Sequence, residues 1–225
     1  MKVSGRTRAI VRWLEHESRT TRGLNIADIG CGYGWTAWHY LQSNHPGSFI
    51  CVEPDEQTRE IAKSMLLNRD VKFFNSLQEV RDVMASSFDF VVSTEVLEHT
   101  DRGAEARFLA DIRQCLKPGG IALITTPAAT IRSRFLDPAF WVARHRHYSK
   151  RKLCKMFNQS NLRVISIRKV GGSAELLALW DLYISKWIFR RRPLLESVYG
   201  AKLEREWDLN WVGWMGWWIE VQRTS

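Results

Sequence analysis

The stretch Asp28-Ile29-Gly30-Cys31-Gly32-Tyr33-Gly34 follows a short apolar run and opens a helix-like segment. Glycines in such a loop allow a tight backbone turn and a close approach to a ligand, because no Cβ atoms stand in the way. The acidic residue Glu53 ends the next apolar run, about 20 residues further on, where its carboxylate would accept hydrogen bonds from both hydroxyls of a ribose. Together, the loop and Glu53 predict a Rossmann-like sheet that binds a ligand containing a nucleoside.

The spacing of the glycines distinguishes this loop from the pattern that binds dinucleotides. That pattern is GxGxxG and places a pyrophosphate on the helix N-terminus, whereas this loop has GxGxG with Asp28 two residues before the first glycine. An aspartate beside the loop repels phosphates and suits the ammonium and sulfonium groups of S-adenosylmethionine. We therefore predict S-adenosyl-L-methionine as the cofactor, in preference to NAD or to a loop that binds nothing.

Strand-like and helix-like segments alternate around this loop, which predicts βαβ crossovers and a parallel sheet with helices on both faces. The predicted strands are Leu24–Ile29, Ser48–Val52, Val71–Phe74, Phe88–Val92 and Ile121–Thr125. The predicted helices are Arg6–Glu17, Trp35–Gln42, Asp55–Asn68, Leu77–Ala85 and Glu105–Leu116. Lys117–Gly120 is predicted as a sharp turn that leads into the fifth strand.

The rest of the chain predicts one more helix, two more strands and a long insertion. Ser149 is a predicted N-cap for a helix through about Asn158, and Leu162–Lys169 and Trp217–Gln222 are the sixth and seventh strands. About forty residues separate these strands, where a hairpin needs only a few. The length favours a single domain, 1–225. Its predicted parts are an N-terminal helix (1–22), a cofactor-binding core (23–170), a helical hydrophobic insertion (171–213) and the last strand (214–225).

Four segments resemble the successive motifs of a known family. They are DIGCGYG, the acidic residue Glu53, FDFVVSTEVLEH (Phe88–His99) and CLKPGGIALITTP (Cys115–Pro127). As a set they resemble class I S-adenosylmethionine-dependent methyltransferases, in particular the type-11 group that includes ubiquinone-biosynthesis O-methyltransferases. The resemblance covers roughly residues 25–171. It implies an α/β, Rossmann-like, seven-stranded and mostly parallel sheet whose last strand is antiparallel.

The resemblance also implies which residues hold the cofactor. Asp28 stands beside the loop whose residues would line the methionine part, and Glu53, followed by Pro54, would bind the ribose. Thr94 and Glu95 would lie where donor and acceptor meet. The remaining residues of this set are Gly30, Cys31 and Gly32 for the methionine part, and Asn75, Ser76 and Leu77 for the adenine.

Methyl transfer to a hydroxyl calls for a general base, and histidine is the natural candidate near neutral pH. His99 follows the fourth strand, and His147 and Tyr148 follow the fifth. We consider all three as catalytic candidates, with Arg144 and Arg146 neutralising an anionic acceptor. The alternatives are that His99 has a structural role at a helix start, that Tyr148 only staples the next helix, and that the arginines face water.

Several classes of site are disfavoured by the sequence. No metal site is expected, because His145 and His147 have no third ligand at a familiar spacing. The four cysteines stand singly, as free thiols do. The Asn/Asp-Pro-Pro-aromatic motif of nucleobase N-methyltransferases is replaced by Ser93–Val96, which disfavours nucleic acid as the acceptor. The opening residues contain no apolar stretch of a secretory signal, so a cytoplasmic location is expected.

Positive charge and tryptophan are concentrated in the last third of the chain. The formal net charge is +9, and 13 Lys and Arg against two acidic residues lie between Arg144 and Arg192; eight of the 11 tryptophans lie beyond position 140. The apolar segment Leu176–Phe189 is too short to cross a bilayer and precedes Arg190-Arg191-Arg192, and a second inserted helix is predicted at Leu194–Trp211.

This composition favours an insertion that lies on the inner face of an anionic membrane, with a hydrophobic or lipid-linked small molecule as acceptor, methylated on oxygen. The alternatives are a lid over the site of a soluble enzyme for an aromatic metabolite, a homodimer contact, and a surface that binds RNA.

Overall fold

A computed structural model describes residues 5–19, 23–138, 140, 145–187, 189–190, 196–208 and 211–224. Its seven strands form one sheet in the order β3-β2-β1-β4-β5-β7-β6. The strands are β1 Asn25–Ile29, β2 Ser48–Val52, β3 Val71–Phe74, β4 Phe88–Thr94, β5 Leu116–Pro127, β6 Leu162–Val170 and β7 Gly216–Arg223. Neighbouring strands among β1 to β5 are parallel, and β7 lies antiparallel between β5 and β6. The predicted mostly parallel sheet with an antiparallel last strand is confirmed.

Helices cover both faces of the sheet, as predicted. They are α1 Gly5–Glu17, α2 Trp35–Tyr40, α3 Glu56–Met65, α4 Leu77–Val83, α5 Glu105–Cys115, α6 Ile131–Leu136, α7 Lys150–Gln159, α8 Ser173–Trp187 and α9 Glu196–Glu206, with a 3₁₀ turn at Leu97–His99. Apolar side chains of α4, α5 and α7 form one core with the sheet. Those of α1 and α2, with Trp207 after α9, form the core on the other face.

Polar side chains cap the starts of three helices, and one of them, Ser149, was predicted from the sequence. The side chains of Asp55, Ser76 and Ser149 accept hydrogen bonds from the backbone N–H of Thr58, Glu79 and Lys152. Each bond satisfies one of the donors that a helix leaves unpaired at its start. The predicted N-cap at Ser149 is therefore confirmed.

The predicted turn at Lys117–Gly120 is wrong, because β5 begins at Leu116 and includes these residues. The register shifts where Phe88 pairs with Leu116 and Phe90 with Ile121. Gly119 has a φ of 80°, and a Cβ at Gly120 would lie 2.9 Å from the Phe88 carbonyl oxygen. The two glycines therefore allow an irregular strand to stay close to β4 instead of forming a separate turn.

The insertion between β6 and β7 is helical, as predicted, and both of its helices, α8 and α9, make contacts that hold them in place. Glu206, at the end of α9, accepts hydrogen bonds from the backbone N–H of Ala174 (2.8 Å) and Glu175 (2.9 Å), so it caps the start of α8. Helix α9 also packs on α1, where a Cβ at Gly5 would lie 2.7 Å from the Leu203 carbonyl oxygen. The second helix is shorter than Leu194–Trp211, the predicted range. Residues 191–195, with Arg191 and Arg192, lie outside the described residues.

The described helices include none that is both long enough and apolar enough to cross a membrane.

Candidate cofactor and acceptor site

The glycine-rich loop leaves the end of β1 and turns into α2 with three glycines in the left-handed region. Gly30, Gly32 and Gly34 have φ values of 73°, 54° and 78°. A Cβ at Gly30 would overlap the Cγ2 atom of Val96. The loop therefore requires glycine both for its backbone conformation and for space. The backbone N–H groups of Gly30 and Cys31 donate to the Val52 carbonyl at 2.8 and 3.0 Å, which holds the loop against the end of β2.

Glu53 reaches back from the end of β2 to the same loop. Its Oε2 atom accepts a hydrogen bond from Gly32 N at 3.0 Å, and its Oε1 atom accepts one from Asp55 N at 3.0 Å. Pro54 lies between the two acidic residues. The carboxylate is thus oriented before any ligand arrives, and its remaining lone pairs suit the vicinal hydroxyls of a ribose.

The residues predicted for the adenine lie beside Glu53. Glu53 N donates to the Phe74 carbonyl at the end of β3 (3.1 Å), which places Asn75 next to the ribose position. Ser76 caps α4, and Leu77 is buried under it. The predicted adenine segment therefore starts a helix at the carboxyl edge of the sheet, where ligands bind in open α/β folds.

Asp28 is a buried acid under the loop. Its side chain is 1% exposed, and its Oδ2 atom has no hydrogen-bond partner. Burial and the nearby Glu53 raise the pKa of Asp28 to about 7, although a hydrogen bond with Thr36 lowers it. Burying an unpaired carboxylate is unfavourable, so this position favours a cationic ligand group.

A cavity of about 390 Å³, which we call the cofactor cavity, opens beside the loop. Its wall combines loop residues and Thr94 with Arg6 of α1 and with Glu175, Ala178, Leu179 and Leu182 of α8. Arg6 Nη2 lies 2.6 Å from Glu175 Oε1, and its guanidinium lies over the Trp207 ring at 4.8 Å. Burial lowers the pKa of Arg6, but the carboxylates of Glu95 and Glu175 outweigh burial and raise it. Arg6 is therefore a fixed cation of the site, and no motif in the sequence indicated it.

Two glutamates follow β4, and the first of them, Glu95, has its Oε2 atom 3.8 Å from Arg6 Nη1. Glu95 has a φ of 55°, and its Oε1 atom accepts a hydrogen bond from Thr125 Oγ1 at 2.9 Å. Glu98 is buried and accepts a hydrogen bond from Thr126 Oγ1 at 3.0 Å, while its Oε1 atom has no partner. Burial and Glu95 raise the pKa of Glu98.

The charges of the site fit S-adenosylmethionine, which carries an ammonium, a sulfonium and a carboxylate. Asp28, Glu95 and Glu175 offer anionic groups, Arg6 offers a cation whose Nε has no hydrogen-bond partner, and Glu53 is oriented for the ribose. A dinucleotide would bring phosphates into this largely acidic surrounding. The described residues thus fit the predicted cofactor.

The three catalytic candidates occupy different environments. His147 is buried, and its Nε2 atom lies 3.0 Å from Asp137 Oδ2; its Nδ1 atom has no partner. His99 is exposed, and its ring packs edge-to-face on His145 at 4.5 Å. Tyr148 is fully buried, and its hydroxyl donates to the Leu97 carbonyl at 3.2 Å. Neither the histidines nor the tyrosine line the described wall of the cofactor cavity.

The position of Tyr148 favours the alternative that it staples the fold, since it belongs to the core with α7. The Arg146 side chain is 16% exposed and does not line the described wall of the cofactor cavity, so its role towards an anionic acceptor stays a prediction. It donates to the carbonyls of Leu97, Glu98 and Thr100 and pairs with Glu105 at 2.7 Å. These bonds fix the turn that follows β4. Arg144 lies outside the described residues.

One group of side chains has the composition of a metal site. Glu98, His99 and His145 each bring a ligand atom within 4.8 Å of the others. The sequence places His145 next to His147, but in the fold the His145 ring packs on His99 instead. This grouping could not be predicted from the sequence, because it depends on a contact between the segments after β4 and β5. These segments are over forty residues apart in the chain.

The loop, the oriented acid and the doubly wound sheet define a Rossmann-like domain for a nucleoside cofactor. Residues 4–167 match the family described as "Methyltransferase domain". The match covers well over half of the chain, and the chain belongs to this methyltransferase family. S-adenosylmethionine is its cofactor.

Two relatives show the level of sequence identity between this chain and individual proteins. The chain is similar to the cyclopropane-fatty-acyl-phospholipid synthase of Escherichia coli (strain K12), at 31% identity over 123 residues, which are 55% of this chain and 31% of that protein. It is similar to the ubiquinone biosynthesis O-methyltransferase of Rickettsia canadensis at 26% identity over 192 residues, 81% of this chain and 76% of that one.

Among solved structures, a SAM-dependent methyltransferase from Archaeoglobus fulgidus shares the fold, with a TM-score of 0.64 and 16% identity over 96% of this chain and 94% of that one.

Proposed function

We propose that this protein transfers the methyl group of S-adenosylmethionine to an oxygen atom of a hydrophobic or lipid-linked small molecule at an anionic membrane surface. The cofactor supplies an electrophilic methyl group for an in-line displacement, so the main task of the protein is to position the acceptor. The proposal rests on α8, which has apolar residues both on the side that lines the cofactor cavity and on the side that faces outward.

One side of α8 lines the cofactor cavity, and another faces outward. Ala178, Leu179 and Leu182 belong to the cavity wall, and Leu182 is also 44% exposed, so the cavity opens at an apolar rim. A long acyl or isoprenoid chain would leave the cavity along such a rim without exposing its surface to water.

The outward side of α8 joins α6 in an exposed apolar surface. We call this surface the apolar patch, and it consists of Ile131, Phe135 and Leu136 of α6 with Leu177, Trp180 and Ile184 of α8, each at least 38% exposed. Trp180 Nε1 donates to the Leu136 carbonyl at 3.0 Å, which ties the two helices together. Exposed apolar patches of this kind mark interfaces with membranes or proteins.

Exposed basic residues and the names of two relatives support the proposed location at a membrane. Arg132, which follows Ile131 in the chain, and Arg190, which follows α8, are exposed, and basic residues are attracted to anionic headgroups. The relative from Escherichia coli is named for a phospholipid, and the relative from Rickettsia canadensis for ubiquinone. The aligned region spans only about a third of the first of these relatives.

A hydroxyl acceptor requires a base, and the His147–Asp137 pair is our candidate. The Asp137 carboxylate, 3.0 Å from Nε2, fixes the orientation of the imidazole ring. His99 is the second candidate, since it stands on the exposed side of the turn after β4.

The test measures S-adenosylhomocysteine release with phenol and with 4-octylphenol, and co-sedimentation with phosphatidylglycerol vesicles across a salt series. We expect faster methylation of the octyl compound and vesicle binding that Trp180→Ser and Ile131→Ser weaken. Leu67→Ser is the matched control, because Leu67 is 81% exposed and lies outside the apolar patch. Equal rates on both phenols, with the protein in the supernatant at low salt, would overturn the proposal and favour a soluble enzyme with α8 as a lid.

A further inference from the structure

The insertion contributes two polar residues to the wall of the cofactor cavity, far along the chain from the glycine-rich loop. Glu175 lies in the first turn of α8, and Trp207 follows α9. Both come after residue 167, where the match to the methyltransferase family ends. The family match therefore assigns no role to either of them.

Both residues contact Arg6, which is the only Lys, Arg or His side chain in the described wall of this cavity. The Arg6 side chain is 28% exposed, and its Nη2 atom is occupied by Glu175 Oε1 at 2.6 Å. Its Nη1 atom lies 3.8 Å from Glu95 Oε2, which is longer than a hydrogen bond. The Nη1 atom is thus left to donate to a ligand.

Glu175 is itself held at both carboxylate oxygens. Oε1 pairs with Arg6, and Oε2 accepts a hydrogen bond from the indole Nε1 of Trp207. Trp207 is 2% exposed, and its ring lies against the Arg6 guanidinium at 4.8 Å. An ion pair and a ring face therefore fix the guanidinium together. An arginine fixed in this way loses less conformational freedom when it binds a ligand.

Glu95 is the competing partner of Arg6. Its Oε1 atom accepts from Thr125 Oγ1 at 2.9 Å, and a small rotation of the guanidinium would bring Nη1 within hydrogen-bond distance of Oε2. Glu175 opposes this rotation because it binds the other terminal nitrogen. Without the charge of Glu175, Arg6 would pair with Glu95, and Nη1 would be lost to the ligand.

The cofactor has one group that matches a free guanidinium edge. The carboxylate of its methionine part is its only anion, and arginine forms charge-assisted hydrogen bonds with carboxylates. The Arg6–Glu175 pair is neutral overall, but the part of it that remains open consists of N–H donors. Both oxygens of Glu175 already accept hydrogen bonds, so the cofactor carboxylate replaces none of these contacts.

We infer that Glu175, supported by Trp207, positions Arg6 to bind the carboxylate of S-adenosylmethionine. Glu175 and Trp207 are positioning residues, since they act through Arg6. The insertion thereby takes part in recognition of the cofactor. This role does not depend on the identity of the acceptor or on binding to a membrane.

The test measures the affinity of full-length protein for three ligands by calorimetry. S-adenosylhomocysteine has the ammonium and the carboxylate, 5′-deoxy-5′-(3-aminopropylthio)adenosine lacks only the carboxylate, and 5′-methylthioadenosine lacks both groups. We expect the wild type to bind S-adenosylhomocysteine at least about tenfold more tightly than the aminopropyl compound. Glu175→Gln keeps the shape of the side chain without its charge. It should weaken S-adenosylhomocysteine about tenfold and change the affinities of the other two ligands by less than about twofold.

Two further variants separate positioning from a structural role. Glu204→Gln is the matched control, because Glu204 pairs with Arg8 at the same distance of 2.6 Å but lies outside the described wall of the cavity. It should leave all three affinities unchanged. In the background of Arg6→Met, Glu175→Gln should weaken S-adenosylhomocysteine no further, because it acts through Arg6.

Thermal unfolding checks that each variant is folded, and the comparison of the three ligands on the wild type stands without any variant. The inference is overturned if the wild type binds S-adenosylhomocysteine no more tightly than the aminopropyl compound. It is also overturned if Glu175→Gln leaves S-adenosylhomocysteine unaffected, if it weakens all three ligands equally, or if its full effect persists in the Arg6→Met background.

Discussion

Substituting Asp28 tests whether the buried acid under the glycine-rich loop recognises a cation. The pKa of Asp28 is raised from 3.8 to about 7 in the ligand-free protein. The folded state therefore binds this proton more tightly than the unfolded state does. The free energy of unfolding should fall as the pH rises from about 4 to about 7, because ionisation is easier in the unfolded chain.

The size of this effect follows from the shift. One pKa unit corresponds to about 1.4 kcal/mol, so a shift of about three units corresponds to about 4 kcal/mol as an order of magnitude. Asp28→Asn removes the titration, and its free energy of unfolding should lose this pH dependence. Asp101→Asn, at an exposed position, should behave like the wild type. Urea unfolding between pH 4 and pH 8 measures the difference.

Deprotonation of Asp28 should be coupled to cofactor binding. If the cationic part of S-adenosylmethionine keeps Asp28 ionised, binding at pH 6 should release close to one proton, and affinity should rise with pH up to about 7. Calorimetry in two buffers of different ionisation enthalpy counts the released protons. Asp28→Asn should release none through this group. Identical binding enthalpies of the wild type in both buffers at pH 6 would refute the reasoning.

Three further substitutions test the site. Glu53→Ala should weaken the cofactor by about 1.5 to 3 kcal/mol by calorimetry, since it removes a charged acceptor of the ribose hydroxyls; unchanged affinity would contradict this role. Gly30→Ala should lower stability by about 1 to 3 kcal/mol in thermal unfolding and weaken the cofactor, because its Cβ overlaps Val96 at a positive φ; a variant as stable as the wild type would count against the loop geometry. His147→Ala should lower turnover about 10²- to 10⁴-fold with little change in cofactor affinity, and full turnover would exclude His147 as the base.

The sheet and the cofactor loop could be predicted because their signals are local. The apolar runs of β1 to β5 and the cap at Ser149 lie within a few residues of the elements they define. The cofactor site is likewise predicted from the glycine-rich loop and from Glu53, which follows it by about 20 residues. The family of the chain follows from these segments alone.

The contributions from distant segments could not be predicted. Arg6 and Glu175 are 169 residues apart, and no periodicity links them. Arg146 and Tyr148 have side chains that usually reach solvent or a ligand, yet here both are held by carbonyls and Glu105. Their burial depends on the packing of the turn after β4, which a single sequence does not encode in any short pattern.

The contact between Arg6, Glu175 and Trp207 has a consequence for the order of folding. A chain that has folded only through β5 already contains the glycine-rich loop and Glu53, but it lacks the wall that α1 and α8 build together. The cofactor stabilises only states that can bind it, so it favours late intermediates in which the insertion has docked on α1. Conversely, local opening of α8 breaks the wall without breaking any strand pairing. Cofactor exchange can therefore proceed through a sub-global opening that costs less than unfolding of the sheet.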